Sequence, residues 1–291
     1  MVSVYNPDQT EVETFADSFG ITAYSDNYES FLESVDAVYV ASPHLSHYKY
    51  AKEALVHGKH VLCEIPFTLS ATQTKELYEI AENKNLVLLE ASKTAFCPSF
   101  NHLVTLIKSG VIGDVVDIKA SLSKMVSAPT RELNAEDAGG AMNEHAPLNL
   151  MAIIRLLGKK IEKINFYSKF ENGVDVYTKV NLEYSHATSS ATLGIGVKTE
   201  GNLVVSGTKG YVYVPAPWWL TDYFEIRYED QRKNKKYFYS YDGDGLRYEI
   251  QEFVSMIVNG RKSSYKLRRS ESIAIASIIE MFNKKENLTI L

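Results

Sequence analysis

The first third of the chain alternates short apolar runs with stretches of helical periodicity. Residues 36–41, 60–63 and 86–89 are nearly continuous apolar runs, which is typical of strands buried on both faces. Residues 46–57 instead repeat their apolar positions at helical spacing, and Gly58 provides the stop. The alternation predicts a parallel sheet with helices on both faces.

The same pattern reaches back to the start of the chain. Residues 2–5 are strand-like and end at an Asn-Pro-Asp turn signal, after which a helix pattern runs to Gly20. A later helix begins near Ser70, because Ser70 and Gln73 have the spacing of a capping box. The pattern of parallel strands and helices therefore covers residues 1–92.

Beyond residue 92 the strands become longer and their polarity alternates. Residues 178–184 switch regularly between polar and apolar, as expected of an antiparallel strand with one face in water. The predicted strands cover residues 162–170, 174–186, 189–199, 202–206, 210–214, 222–229 and 236–241. The predicted helices cover residues 100–109, 143–157, 245–258 and 270–284. Residues 93–291 are therefore predicted to form an α/β domain built on a large, mostly antiparallel sheet.

Composition narrows the class of partner. The 291 residues are 45% hydrophobic and 23% charged, an ordinary globular balance. A net charge of −5 argues against nucleic acid or an anionic membrane as the main partner. Cys63 and Cys97 are too few for a disulfide framework, and neither a membrane span nor a signal peptide is recognisable. We therefore expect a soluble, cytoplasmic protein.

Several motifs carry a family resemblance. Residues 41–47 read A-S-P-H-L-S-H, residues 58–66 read G-K-H-V-L-C-E-I-P, and residues 139–158 begin with G-G and end with L-L-G. Together they resemble the Gfo/Idh/MocA family (glucose–fructose oxidoreductase, inositol dehydrogenase and MocA). Residues 90–98 look like the dihydrodiol dehydrogenase branch of that family. The resemblance covers essentially the whole chain.

The resemblance implies a fold, an activity and a cofactor. The implied fold is a Rossmann-like NAD(P)-binding domain in residues 1–92, followed by a substrate and oligomerisation domain in residues 93–291. The implied activity is hydride transfer between NAD or NADP and a sugar, a polyol or a cyclic diol, in a homo-oligomer formed through the second domain's sheet. The cofactor-binding positions implied by the family's turns are Asn6, Ser42, Pro43, His44, His47 and Glu64.

The start of the cofactor domain departs from the family pattern. Such a domain begins with a strand, a G-x-G-x-x-G loop and a helix, yet no such glycine pattern occurs in this sequence. The chain begins at the family's second strand, which puts Asn6 at the acidic ribose-binding position. We therefore expect an incomplete, N-terminally truncated Rossmann-like domain. A misassigned start or a fragmentary chain is favoured over a rearranged sheet, because unpaired central-strand groups are costly.

The catalytic positions also differ. The lysine of the family's E-K-P segment is Ile65, the histidine position of its second-domain motif is Leu148, and the arginine of the diol branch falls on Ala95. Neither Ile65 nor Leu148 can carry a proton. One hypothesis makes Lys93 and Glu144 a substitute acid/base pair for hydride transfer. The alternative is a non-catalytic relative acting as a binding, regulatory or partner subunit, or a fragment of a longer enzyme.

Two histidine arrangements leave alternatives open. His44 and His47 are three residues apart, and contacts at the cofactor edge or helix capping are favoured over a metal, since no third ligand is visible nearby in the sequence. His145 follows Glu144 directly but projects about 100° round the helix from it, so we expect only one of the two to face the pocket. The alternative without a catalytic role is that Lys93 is a solvated or ion-paired surface lysine and that Glu144 is a charge at a helix N-terminus.

Overall fold

Residues 1–92 fold into parallel strands joined by helices, as seen in a computed structural model that describes residues 1–240 and 243–291. The elements are β1 (Val4–Tyr5), α1 (Gln9–Phe19), β2 (Tyr24–Ser25), α2 (Tyr28–Glu33), β3 (Ala37–Val40), α3 (His47–Val56), β4 (His60–Glu64), α4 (Ala71–Asn83) and β5 (Leu88–Ala91). Every strand pair in this part is parallel, which confirms the Rossmann-like prediction.

The parallel strands form two sheets where one was expected. β1 pairs only with β2, whereas β3, β4 and β5 make a separate three-stranded sheet with β4 in the middle. Within the described residues no ladder joins the two sheets. Aromatic packing connects them instead: the Tyr5 ring lies 4.8 Å from that of Tyr28 and 5.6 Å from that of Tyr50. Because β1 and β2 contain only two residues each, they can form few backbone pairs beyond those that join them to each other.

The second part is built on one nine-stranded sheet. Its elements are α5 (Lys93–Phe96), α6 (Pro98–Lys108), β6 (Val115–Ser123), α7 (Ala141–Leu157), β7 (Lys163–Glu171), β8 (Val174–Glu183), β9 (Thr188–Gly194), β10 (Leu203–Gly207), β11 (Tyr211–Val214), β12 (Tyr223–Arg227), β13 (Lys235–Phe238), α8 (Leu246–Val258), α9 (Arg269–Asn283) and β14 (Leu288–Ile290). The strand order is β13-β12-β11-β10-β6-β9-β8-β7-β14. Six of its eight pairs are antiparallel, so the prediction of a mostly antiparallel sheet is confirmed.

Two strands of this sheet were missing from the prediction. β6 and β14 supply its two parallel pairs, β6 with β9 and β14 with β7. The predicted strand 189–199 is also too long, because β9 ends at Gly194. Backbone geometry explains that end: a Cβ at Gly194 would lie 2.2 Å from the Val197 carbonyl oxygen. The end of the predicted strand 236–241 lies outside the described residues.

Helix α7 fills the centre of the molecule. It packs on β6, β8 and β9, and its residues from Ala146 to Ile154 are all buried. The aromatic segment near Trp218 belongs to the same core: Trp218 is fully buried and its Nε1 donates to the Ser121 carbonyl at 3.0 Å. Both cysteines are buried, and no disulfide joins them. Within the described chain, no helix combines the length and the apolar character needed to cross a membrane.

The start of α4 is capped differently from the prediction. Ser70 is the N-cap residue, but its side chain accepts no capping hydrogen bond, so the expected capping box with Gln73 is wrong. Glu280 of α9 caps the helix instead, because its Oε2 accepts from the Ala71 N–H at 2.8 Å. A carboxylate from the far end of the chain therefore satisfies this helix N-terminus and fastens α9 to the cofactor-domain helices.

Candidate functional site

The candidate site lies where three parallel strands end. β3, β4 and β5 run in the same direction, so their carboxyl ends share one edge of the sheet. Ser42 follows β3, Glu64 closes β4, and Ser92 follows β5. In open parallel sheets such an edge is where ligands bind.

His47 ties two of the turns at this edge together. Its Nδ1 lies 2.9 Å from the Pro66 carbonyl oxygen, and its Nε2 lies 2.6 Å from the Ser42 carbonyl oxygen. Burial lowers the pKa of His47, while the two carbonyl oxygens favour its protonated form. The ring thus holds the turn after β3 against the turn after β4.

The turn after β3 is fixed by its own hydrogen bonds. Ser46 Oγ donates to Ser42 Oγ at 2.7 Å, and the Ser46 N–H donates to the Pro43 carbonyl at 2.9 Å. Pro43 precedes a short 3₁₀ helix that begins at His44. These contacts aim the His44 ring toward the second domain.

His44 meets an ion pair from the second domain. Arg131 Nη2 donates to Glu144 Oε2 at 3.0 Å, and Nη1 lies 2.9 Å from Oε1. The His44 Nδ1 atom lies 3.6 Å from Glu144 Oε1 and 3.4 Å from Arg131 Nη1. Glu144, in the first turn of α7, therefore faces the carboxyl edge of the parallel sheet and is held by one hydrogen bond and a close ion pair with Arg131.

Burial and neighbouring charges shift the pKa values of His44 and Glu144. Burial, followed by the positive charge of Arg131, lowers the pKa of His44 to about 3, so the ring is neutral at neutral pH. Burial raises the pKa of Glu144, and the hydrogen bond from Arg131 acts in the opposite direction.

A buried aspartate sets the position of α7. Asp175 Oδ2 accepts from the Met142 N–H at 2.8 Å and from Thr178 Oγ1 at 2.5 Å. The carboxylate approaches so closely that a Cβ at Gly140 would lie 2.1 Å from Asp175 Oδ1, and Gly140 has a φ of 114°. The Gly-Gly motif of the sequence therefore allows Asp175 to approach the start of α7 closely. This packing positions Glu144 at the sheet edge.

Glu64 lies in a second acidic group at the same edge. Tyr39 donates a short hydrogen bond to Glu64 Oε1, and the Ile65 N–H donates to Oε2 at 3.2 Å. Glu249 of α8 is fully buried, and neither of its carboxylate oxygens has a hydrogen-bond partner. Burial, followed by the charge of Glu64, raises the pKa of Glu249 to about 8, while the charge of Lys93 lowers it.

The predicted acid/base residues Lys93 and Glu144 have different neighbours. Lys93 is within electrostatic range of Glu249, and Glu144 is held by Arg131. Asn6 lies apart from both: its side chain donates to Glu11 at 2.9 Å and accepts from the Asp8 N–H at 2.8 Å. The assignment of these residues to catalysis and cofactor binding stays a prediction.

Arg131 and Glu249 escaped the sequence reasoning for different reasons. Arg131 lies in a short 3₁₀ turn with no periodicity to mark it. Glu249 did carry a signal, because Phe253 and Met256 follow it at helical spacing on the buried face of α8. A glutamate on an apolar helix face indicates a raised pKa or a specific partner.

Comparison with known families decides the identity of the fold. The family model described as "Oxidoreductase family, NAD-binding Rossmann fold" matches residues 1–92, and the "GFO/IDH/MocA C-terminal domain" model matches residues 100–213. The chain belongs to the Gfo/Idh/MocA family. The expected resemblance is thereby confirmed, together with an NAD(P)-dependent oxidoreductase class and an NAD-binding first domain.

Curated relatives of this Gfo/Idh/MocA chain confirm the expected branch. A trans-1,2-dihydrobenzene-1,2-diol dehydrogenase from Oryctolagus cuniculus is 29% identical over 300 residues, which cover 99% of this chain and 91% of that protein. The enzyme of the same name from Homo sapiens is 28% identical over 301 residues and is covered to 89%.

Solved structures show the same fold. KijD10, a 3-ketoreductase from Actinomadura kijaniata in complex with NADP and TDP-benzene, superposes with a TM-score of 0.88 at 21% identity, covering 100% of this chain and 91% of KijD10. A levoglucosan dehydrogenase in complex with NADH and levoglucosan gives a TM-score of 0.86 at 17% identity, covering 97% and 87%. At these identities the likeness concerns the fold alone.

The sheet edge fits one half of a nicotinamide cofactor. Ser92 Oγ is buried without a partner, as are the two carboxylate oxygens of Glu249. A carboxamide and ribose hydroxyls would supply those partners, so the residues present fit the nicotinamide and its ribose. The sequence offers no glycine-rich loop for the pyrophosphate.

Proposed function

We propose that this chain is an NAD(P)-dependent oxidoreductase that transfers hydride between the cofactor and a cyclic diol, a polyol or a sugar. One observation carries the proposal: Glu144 of the second domain meets His44, which follows β3 at the carboxyl edge of the parallel sheet, at 3.6 Å. That contact joins the turn after β3 to the first turn of α7. The dihydrodiol dehydrogenases that align with 99% of the chain support the substrate class.

The proposed cofactor contacts are the residues of the sheet edge. The nicotinamide half of the cofactor would be lined by Ser42, Pro43, His44, His47 and Glu64. At the end of β1, Asn6 would accept a hydrogen bond from a ribose hydroxyl. When bound, the cofactor supplies the hydride acceptor or donor, and the protein orients the reacting carbon. His47 would keep the turn after β3 in place against the bound cofactor. The boundary between the two domains is proposed at residue 93.

The proposed proton-handling groups are Lys93 and Glu144. Glu144 is held in place by Arg131, so it can fix a substrate hydroxyl at a constant position. Lys93 lies within electrostatic range of Glu249 and would polarise an oxygen atom of the substrate. Each role requires substrate to lie between α5 and α7.

Cofactor binding is tested first, by titrating the chain with NADH and NADPH and following nicotinamide fluorescence. We expect saturation at or below millimolar cofactor. Reduction of NAD and NADP is then measured with trans-1,2-dihydrobenzene-1,2-diol and with levoglucosan. Lys93→Met and Glu144→Gln should each lower kcat by about 10²-fold or more, whereas Lys159→Met, at an exposed position, should leave it unchanged.

The competing function is that of a non-catalytic binding or regulatory relative. Ile65 and Leu148, which carry no proton, favour that alternative. The two proposed functions predict different outcomes of the cofactor titration and the turnover assay. Absence of any fluorescence change up to millimolar NADH and NADPH would reject the oxidoreductase proposal for this chain, and binding without turnover would favour the regulatory relative.

A further inference from the structure

An open groove lies where the loop after α8 leads into α9. Its volume is about 530 Å³, which falls within the range of small-molecule sites. The groove combines two arginines and three serines with one tyrosine and one isoleucine. Its lining residues are Ser263, Ser264, Tyr265, Arg268, Arg269, Ser270 and Ile273.

The groove lies at the opposite edge of the parallel sheet from the candidate functional site. Arg269 Nη1 donates to Glu82 Oε2 at 2.8 Å, and Lys262 Nζ donates to the Asn85 carbonyl oxygen at 2.7 Å. Both acceptors lie at the end of α4, where the chain turns back into the start of β5. The groove is therefore beside the amino ends of the parallel strands, whereas the candidate site is at their carboxyl ends.

The segment that forms the groove is strongly basic in a chain whose net charge is −5. Between Glu252 and Glu271 the sequence contains no acidic residue. The five basic residues of this interval are Arg261, Lys262, Lys266, Arg268 and Arg269. A positive groove on an acidic protein favours an anionic ligand.

One of these cations has no carboxylate partner. Glu252 accepts from Arg261 at 3.0 Å and from Lys266 at 2.8 Å, and Arg269 is held by α4. Arg268 is exposed, and no carboxylate of residues 1–240 or 243–291 forms an ion pair with its guanidinium group. That group is therefore available to a ligand in the groove.

Further positive charge surrounds Arg268. Burial lowers the pKa of Lys108, and the charges of Arg155 and Arg268 act in the same direction, whereas the charge of Glu271 opposes them. Glu271 already pairs with Arg155 at 3.3 Å, and the buried Arg155 Nε has no hydrogen-bond partner. One carboxylate thus faces three cations, and a bound anion would reduce their mutual repulsion.

A phosphate monoester matches the donors of the groove. Its phosphate carries close to two negative charges and three acceptor oxygens, and a guanidinium group can bind two of those oxygens in parallel. The hydroxyls of Ser263 and Ser270 make no hydrogen bond within the part of the chain that the structure describes, so they can donate to the phosphate. Tyr265 is 65% exposed and presents a flat apolar face beside these donors.

We propose that this groove binds a small phosphate monoester whose organic part is a ring, with the phosphate on Arg268 and the ring against Tyr265. Ser263 and Ser270 complete the contacts to the phosphate, and Ile273 contributes an apolar wall. The inference does not rest on the proposed function, because no residue of the cofactor edge takes part in it.

Binding is tested by isothermal titration calorimetry on the full chain at constant ionic strength. The probes are phenyl phosphate, which has both parts of the proposed ligand, inorganic phosphate, which lacks the ring, and phenol, which lacks the phosphate. We expect saturable binding of phenyl phosphate at or below millimolar concentration, weaker binding of inorganic phosphate, and no binding of phenol over the same range. Absence of saturable binding of phenyl phosphate would overturn the proposal.

The role of the guanidinium group is tested by Arg268→Gln. Because this change removes a charge-assisted contact from an exposed side chain, the affinities for phenyl phosphate and for inorganic phosphate should each fall by about tenfold or more. Arg232→Gln is the matched control, since Arg232 is exposed and pairs with Asp230 in another part of the chain. Equal affinities in Arg268→Gln and Arg232→Gln would show that the groove is not the binding site.

The role of the ring is tested by Tyr265→Ala. The affinity for phenyl phosphate should fall by about threefold or more, because an aromatic contact is lost, while the affinity for inorganic phosphate stays unchanged. Phe238→Ala, which removes an exposed ring from β13, should affect neither probe. An unchanged affinity for phenyl phosphate in Tyr265→Ala would contradict the proposed ring contact.

A titration in the presence of NADPH separates this site from the cofactor edge. Saturating NADPH should leave the affinity for phenyl phosphate unchanged, and displacement by NADPH would place phenyl phosphate at the cofactor edge and overturn the proposal. If the chain binds neither NADH nor NADPH, the proposed function fails, whereas weaker phenyl phosphate binding in Arg268→Gln still supports the groove.

Discussion

Two buried carboxyl groups are expected to make the stability of this protein depend on pH. Glu249 is fully buried without a hydrogen-bond partner, and burial raises its pKa to about 8. Asp175, also buried, has a pKa raised to about 7, although three hydrogen bonds act to lower it. Both groups bind a proton more tightly in the folded chain than in the unfolded chain. Their contribution to stability is therefore complete at low pH and declines as the pH rises.

Replacing Glu249 with Gln should remove part of that dependence. The contribution of Glu249 is fully present below its unfolded pKa of about 4.5 and is lost as the pH rises toward about 8. At pH 8 the parent chain should be less stable than Glu249→Gln, by at most about 4 kcal/mol. Urea unfolding at pH 5 and pH 8 measures the difference, with the exposed Glu286→Gln as control. Parallel pH profiles for parent and Glu249→Gln would contradict the expected role of burial.

Arg131 should control the titration of His44. Its positive charge lowers the pKa of His44, second only to burial. In Arg131→Met we therefore expect the pKa of His44 to rise above about 3, while burial still holds it below its ordinary value. The same substitution should raise the pKa of Glu144 further, because the hydrogen bond that lowers it is lost.

NMR titration of the His44 ring measures this effect directly. Arg232→Met is the matched control, since Arg232 is exposed and pairs with Asp230 in another part of the chain. An unchanged pKa of His44 in Arg131→Met would mean that the guanidinium does not act on the ring.

At the scale of elements, the regular helices and strands were predictable, and the contacts between them were not. The period of α3 and α8 and the alternation in β8 are local, so residues 46–57, 245–258 and 174–186 predicted them closely. β14 was missed because its three residues form a strand only by pairing with β7. The cap of α4 also could not be predicted from the local sequence, because its acceptor lies more than two hundred positions away along the chain.

Removing that cap should loosen α4 and its packing on α9. Glu280→Ala leaves the Ala71 N–H without its acceptor, at an expected cost of about 1 kcal/mol. The pKa of Glu280 is lowered, first by the hydrogen bond from Lys284, so its contribution is present above its ordinary pKa and is lost as the pH falls through the lowered one. Thermal unfolding of Glu280→Ala and Glu286→Ala at pH 7 gives the comparison. Equal midpoints for the two variants would show that the cap contributes nothing.

At the scale of the whole molecule, the large sheet has one covered face and one polar face. α7 packs on the face that carries Ala191 and Leu193, so Thr192 points to the opposite side. There the register sets Thr192 beside Lys179, and Lys179 beside Tyr167. We expect the homo-oligomer to form on this face.

Light scattering in solution should therefore give a mass of at least twice 32.7 kDa. Thr192→Arg places a charge near the middle of the polar face and should shift the chain to a monomer. Thr14→Arg, on the exposed side of α1, should not. A monomeric parent chain at all concentrations would contradict the predicted assembly.

The division of the parallel strands into two sheets has a consequence for ligand affinity. Residues 1–27 are attached through aromatic side chains rather than a backbone ladder, so this segment can open locally while β3–β5 stay intact. Asn6 lies at the end of one sheet and Ser42 at the end of the other. A ligand that contacts both Asn6 and Ser42 would restrict the motion of the two sheets relative to each other. The protein would lose conformational entropy on binding, which would offset part of the free energy gained from the contacts. The dissociation constant would therefore depend on the flexibility of the free protein as well as on its complementarity to the ligand.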